Sequence, residues 1–204
     1  GGALHDPCCG SGTIAIEAAQ IACCIAPGLQ RHFAFERLLP FGSPALRAQW
    51  AALRSAAQAR VHASAVPIVA SDVSFRMVDF ARRNAERAGV AQWIEFHGGD
   101  ALERPAPALP ADLPGTLILI PPYGERIQVA GKAGADAAGK AGMAAVERTT
   151  RASAEDRDLP PDFFARLSAH WKRAYTQHPA GWTAFVLSPD MKLPGAMRLK
   201  ESMR

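Results

Sequence analysis

Apolar and polar positions along the chain follow two alternating rhythms. Short apolar runs end in acids or prolines, and longer stretches with helical spacing separate them. Residues 2–6 read as the end of a strand. Residues 11–25, "SGTIAIEAAQIACCI", predict a buried helix with Ile14, Ala18, Ile21 and Ile25 on one stripe. Ser11 or Thr13 would cap its start, and Pro27-Gly28 would stop it. An Ala- and Arg-rich segment, 44–64, predicts a second helix. "AVPIVASD" (65–72) predicts a buried strand ending in an acid. "SFRMVDFARRNAERAG" (74–89) predicts an amphipathic helix with Phe75, Val78 and Ala81 inward and Gly89 as its stop. "QWIEFHGGD" (92–100) alternates like a strand and again ends in an acid. "GTLILI" (115–120) and "WTAFVLSPD" (182–190) predict two more strands, with a helix at about 161–177 before the last.

Strands that alternate with helices predict an α/β domain with a largely parallel sheet. Such sheets bind ligands beyond the carboxyl ends of their strands. Asp6, Asp72, Asp100 and "PPY" (121–123) all fall at predicted strand ends, which makes that edge the place to look for chemistry.

The 204 residues suffice for one sizeable domain. Hydrophobic residues make up 49% and charged residues 21%, as in ordinary globular proteins. No apolar run reaches the roughly 18–20 residues that a membrane span needs. The opening Gly1-Gly2-Ala3-Leu4 has no Met and no basic leader, and it reads as a cut inside a longer protein of the cytoplasm. The cysteines form two adjacent pairs, Cys8-Cys9 and Cys23-Cys24. Neighbouring helical residues diverge, so neither pair makes a two-ligand arm. With no Cys-x-x-Cys, no metal site is expected. The net charge of +4 is a weak hint of a polyanionic partner. Arg31, Arg37, Arg47, Arg54 and Arg60 face only Glu36 across residues 30–64, so this insert reads either as a solvated helical face or as a phosphate-contacting one. Residues 128–158 are rich in Ala, Gly and Lys and poor in large apolar side chains. They predict a flexible insert within the domain.

"DPCCGSGT" (6–13) sits at a strand-to-helix junction. Gly10 and Gly12 permit a tight turn and close approach of a ligand to the backbone. The third glycine of a dinucleotide loop is absent, and so is a Gly-Lys-Ser/Thr phosphate loop. Asp6 disfavours phosphate and suits a cationic amine. Asp72 is placed to hold ribose hydroxyls, and Asp100 to accept from an adenine amine. Three acids at successive strand ends beside a glycine turn describe a pocket for S-adenosylmethionine.

"DPCCGSGTIAIEAA", "SDVSFRMVDFARRNAERAG", "GGDA" and "PPYGERI" together resemble the bacterial 23S ribosomal RNA guanine-N2 methyltransferases, within the THUMP-containing class I methyltransferases. The resemblance covers most of the chain outside 128–158. It implies a Rossmann-like methyltransferase fold, truncated at both ends, with an RNA-binding THUMP module upstream and ribosomal RNA as partner. Carried over by motif, Asp6, Gly10 and Gly12 line the methionine end of the cofactor, with Pro7, Cys8, Ser11 and Thr13 of the same turn. Asp72 holds the ribose, Val73 after it is a further cofactor-binding position, and Asp100 and Ala101 flank the adenine. Ile120, Pro121, Pro122 and Tyr123 face the target base. The carbonyls of Ile120 and Pro121 would accept from the base amine, and Tyr123 would stack on a flipped base. The family's Asn or Asp before Pro-Pro-Tyr is replaced by Ile120, which removes one acceptor. Two alternatives stand beside this reading. One is methylation of a DNA adenine or a protein glutamine, and the other is a catalytically silent cofactor-binding module.

Overall fold

The computed structural model describes residues 2–120, 162–187 and 193–198. The expected insert at 128–158 and Pro121, Pro122 and Tyr123 lie outside the described residues.

Among the described residues five strands form one sheet: β1 (Ala3–Asp6), β2 (Ile68–Asp72), β3 (Glu95–Gly98), β4 (Gly115–Leu119) and β5 (Trp182–Val186). Their order is β3-β2-β1-β4-β5. β1 runs parallel to β2, with Leu4 beside Ile68 and Asp6 beside Ala70. It also runs parallel to β4, with His5 beside Leu117. β2 runs parallel to β3, with Asp72 beside Gly98. Every residue of β1 is buried, which accounts for its lack of polar alternation. The order reverses direction at β1: the chain goes to β2 and β3 on one side, and to β4 and β5 on the other. β1 therefore marks the switch point, beside which such sheets form their ligand crevice.

The helices are α1 (Thr13–Ala22), α2 (Pro44–Gln58), α3 (Phe75–Ala88), α4 (Phe163–Ala174) and α5 (Leu193–Met197). One core joins Leu4, Ile68 and Ala70 of the sheet to Ala15 and Ala19 of α1 and Ala81 and Ala85 of α3. The expected isoleucine stripe of α1 is only partly right. Ile14, Ala18 and Ile25 pack around the core, but Ile21 is 76% exposed and the deepest positions are Ala15, Ala19 and Cys23. Small side chains there let α1 approach both the sheet and α3 closely. Neither Ser11 nor Thr13 caps α1: it starts from Gly12 in a left-handed conformation, without a side-chain cap. It ends at Cys23, short of Pro27.

α3 buries Val78, Ala81 and Ala85 as its spacing requires, and Gly89 ends it at φ 73°. Phe75 is not inward but 77% exposed. It opens the helix at the rim of the sheet, where its ring covers Gly98 instead of entering the core. α2 ends at Gln58, before the expected 64, and none of its residues is buried. It is held through Trp50, whose ring meets Phe33 and Phe35 edge-on at 5.8 and 5.1 Å. β3 is shorter than 92–100 because Ala91–Trp93 forms a 3₁₀ turn, and β5 ends at Val186.

The chain divides into two compact units. The first comprises residues 1–119 and 173–185. On the sheet face opposite Leu4 it carries a buried polar trio: His5 Nδ1 lies 2.8 Å from the Tyr175 hydroxyl, and Nε2 lies 3.2 Å from Ser71 Oγ. Burial raises the Tyr175 hydroxyl well above its ordinary range, so it stays neutral and available for this bond. In the second unit, residues 120–172 and 186–204, α4 and α5 are tied together. Ser168 Oγ donates to the Met197 carbonyl, and the Lys172 ammonium donates to the Arg198 carbonyl at 2.9 Å.

Candidate functional site

The parallel strands bring Asp6, Asp72 and the Asp100 turn to one edge of the sheet, as the sequence pattern predicts. Between them runs the turn Pro7–Gly12. It is stitched to β2 from two directions. Cys9 N–H donates to the Ser71 carbonyl at 2.8 Å, and Gly10 N–H donates to Asp72 Oδ2 at 2.9 Å. The other Asp72 oxygen, Oδ1, accepts from Ser74 N–H at 2.9 Å and so fixes the start of α3. The Asp72 carbonyl accepts from Gly99 N–H at 3.0 Å, which brings the next loop alongside. Asp100 Oδ1 accepts from Leu102 N–H at 2.8 Å, while Ala101 and Leu102 turn into the core.

The two glycines of the turn have different reasons to be glycine. Gly12 has φ 87°, and a Cβ there would sit 2.9 Å from the Ala81 Cβ. It permits the contact between α1 and α3. Gly10 has φ 52°, and nothing lies within 4 Å of where its Cβ would be. At Gly10 the missing side chain leaves open space beside the strand-end acids, a cradle that a ligand can enter. Asn84 of α3, which the sequence pattern did not single out, donates to the Ser11 carbonyl at 2.8 Å and holds the turn from the outside. Its place on the helix face next to Ala81 was the available signal. Ser11 and Thr13 are exposed, and Pro7 and Cys8 lie deeper.

The site is acidic. Asp6 is 1% exposed, and its carboxyl is pushed up from 3.8 to about 7. Burial is the main cause. The Cys8 N–H bond opposes it, and the Asp72 charge adds to it. Cys8 N–H donates to Asp6 Oδ1 at 3.2 Å. Burial and the neighbouring carboxylates raise the Cys8 thiol far above its usual range, and Cys9 rises to about 12. Neither is a nucleophile at neutral pH. Among the described residues no group of three or more His, Cys, Asp or Glu side chains is arranged to hold a metal ion. A cationic group near Asp6 would relieve its desolvation, and a phosphate would meet only like charge.

Apolar surface flanks these acids. Val73 is 64% exposed directly after Asp72, and Phe75 stands at the rim over Gly98. Large exposed apolar side chains suit contact with a flat heterocycle. Ile120 is partly buried and directly follows β4 in the chain.

The comparisons with known proteins identify the family and the fold. The sequence profile of the RMKL-like methyltransferase domain matches residues 1–155. This chain belongs to that family. A ribosomal RNA large subunit methyltransferase K/L of Shewanella pealeana is 44% identical over 129 residues, 61% of this chain. The matched part is 17% of that relative's length, so the chain spans about a sixth of the curated relatives it matches. A protein of Clostridium difficile 630 described as a methylase superposes with a TM-score of 0.70 at 27% identity, covering 100% of this chain and 44% of that one. SMU.472, described as a methyltransferase and solved in complex with SAH, gives a TM-score of 0.69 at 25% identity, over 99% of this chain and 43% of the other. The fold is the Rossmann-like one of the class I methyltransferases, and the domain is a methyltransferase domain. Among the described residues no helix is long and apolar enough to cross a membrane.

Proposed function

We propose that this chain is the catalytic domain of an S-adenosylmethionine-dependent methyltransferase that modifies the N2 amine of a guanine in 23S ribosomal RNA. The observation that carries the cofactor assignment is the set of acids at adjacent strand ends around the open cradle at Gly10. The names of the curated relatives support ribosomal RNA as the substrate.

The residues fit the cofactor part by part. Asp72 already accepts two backbone N–H bonds, one on each oxygen. A carboxylate has about four acceptor sites, so two remain for ribose hydroxyls. Asp6, buried and partly protonated near neutrality, gains a counter-charge when an ammonium comes beside it. The left-handed Gly10 turn lets the methionine end lie against the backbone. Val73 and Phe75 offer apolar surface to the adenine, and Asp100 with Ala101 bounds its edge.

Bound S-adenosylmethionine supplies an electrophilic methyl on a sulfonium. The chain supplies orientation. The base amine is a poor nucleophile because its lone pair is delocalised into the ring, so fixing its direction is the main catalytic task. Pro121 and Pro122 have no N–H and cannot extend a strand ladder, which leaves the carbonyls of Ile120 and Pro121 available to accept from the amine. Tyr123 is suited to stacking on an extruded base. Ile120 stands where an Asn or Asp would supply a further acceptor, so we assign this chain a slower transfer than a variant carrying Asn. Cytoplasmic residence and an RNA-binding module elsewhere in the longer protein belong to the same proposal.

The test uses the longer protein that carries this chain, with radiolabelled S-adenosylmethionine and separate pools of ribosomal RNA, DNA and protein. Label in the N2 of a 23S guanine supports the assignment. Label only in adenine or glutamine overturns it, and binding without transfer to any pool identifies a silent module.

A further inference from the structure

Cys24 and His62 are brought together across 38 residues of sequence, away from the strand-end site. Cys24 Sγ lies 3.3 Å from His62 Nε2. The other ring nitrogen, Nδ1, lies 2.8 Å from the Ala63 carbonyl. A carbonyl only accepts, so Nδ1 carries the proton in the neutral ring. Nε2 is then an acceptor aimed at the thiol. The arrangement is that of a nucleophile, its base and an orienting group. His62 is also anchored through its backbone, whose N–H donates to the Cys23 carbonyl at 3.0 Å. Both Cys24 and His62 are exposed, so a reagent can reach the sulfur.

All four cysteines are free. The other three are poor nucleophiles. Cys8 and Cys9 sit among carboxylates, with their thiols raised by burial and charge. Cys23 is fully buried, and its thiol is raised as well. Cys24 is the exposed cysteine of the four, and an imidazole faces its sulfur.

We infer that Cys24 is a redox modification site that forms a mixed disulfide with one half of a low-molecular-weight disulfide by exchange, with His62 as its base. The S–H proton passes to His62 Nε2. The Cys24 thiolate attacks one sulfur of the disulfide, a new S–S bond forms, and the original S–S bond breaks. The departing thiolate leaves with the electron pair and takes the proton back from His62. Cys24 is oxidised, one half of the disulfide is reduced to a thiol, and His62 returns to its neutral form.

The size of the effect is bounded. An unassisted thiol is a few per cent thiolate at pH 7, so full activation is worth at most about 30-fold. The chain is incubated with glutathione disulfide at pH 7, and peptide mass spectrometry follows the adduct at each cysteine. The expected result is a single early adduct at Cys24. It should form about tenfold faster than on the same cysteine in the urea-unfolded chain, and about tenfold faster than in His62→Gln. A first adduct on Cys8, Cys9 or Cys23 overturns the inference. So does a Cys24 rate equal to that of the unfolded chain, a comparison that needs no variant to fold.

Discussion

The N–H of Gly10 donates to Asp72 Oδ2 at 2.9 Å, across 62 residues of sequence. The carboxylate assigned to the cofactor's ribose is thus also the clamp on the turn assigned to its methionine end. Binding and local folding share one group. Asp72→Asn keeps the shape but puts an amide NH₂ opposite one of two N–H donors. One backbone N–H, of Gly10 or Ser74, is left without an acceptor. A loss of about 1–3 kcal/mol is expected in urea denaturation, before any ligand is added.

Asp6 should make stability depend on pH in the direction opposite to an ordinary paired carboxylate. The unfolded carboxyl titrates near 3.8 and the folded one near 7. Between those values the folded state holds a proton that the unfolded chain has lost. Asp6 therefore costs nothing below pH 4, weakens folding progressively up to pH 7, and costs about 4 kcal/mol above it. Asp6→Asn should remove this slope, so the stability difference between variant and wild type should widen from pH 4 to pH 7 and then level off. A constant difference would mean that Asp6 titrates normally.

The two turn glycines should respond differently to alanine. Gly12→Ala forces a Cβ to 2.9 Å from Ala81 at φ 87°. A destabilisation of about 2–4 kcal/mol is expected, because both strain and overpacking act. Gly10→Ala meets no atom within 4 Å and bears only the cost of its φ of 52°, about 1 kcal/mol. Its larger effect should fall on ligand affinity, since the methyl group fills the cradle. Thermal melts with and without S-adenosylhomocysteine separate the two.

Ile120→Asn should raise methyl transfer in the longer protein by about 10²-fold, the usual worth of one oriented polar group, and leave cofactor affinity unchanged. A residue before proline is held extended whichever side chain it carries, so the substitution adds an acceptor without moving the backbone. The gain should appear in single-turnover rates, because the amine donates more strongly as charge develops on it. An unchanged rate would show that the carbonyls suffice.

The edge of the sheet was legible in the sequence because strands buried on both faces read as apolar runs, and the acids that end them stand out. Asp72 at the end of β2 and Gly89 at the end of α3 lie where the pattern put them. Packing direction was not legible. Hydrophobicity alone points Ile21 and Phe75 inward, yet Ala15 and Ala19 take the deepest positions because α1 and α3 approach through small residues. The clamp from Asp72 to Gly10 and the tether from Asn84 to Ser11 join residues 62 and 73 positions apart, a pairing that no local period encodes. The polar pair of His5 with Tyr175 spans 170 positions and depends in the same way on the finished topology.

The central claim is that the strand-end acids and the Gly10 turn bind S-adenosylmethionine. Calorimetric titration of this chain with S-adenosylmethionine and with S-adenosylhomocysteine tests it most directly, beside an Asp72→Asn variant shown by circular dichroism to be folded. Saturable binding at one site is expected, weakened by about 10- to 100-fold in the variant, as loss of a charged acceptor for ribose hydroxyls requires. No binding by the folded wild-type chain, or equal affinity in the two proteins, would contradict the account.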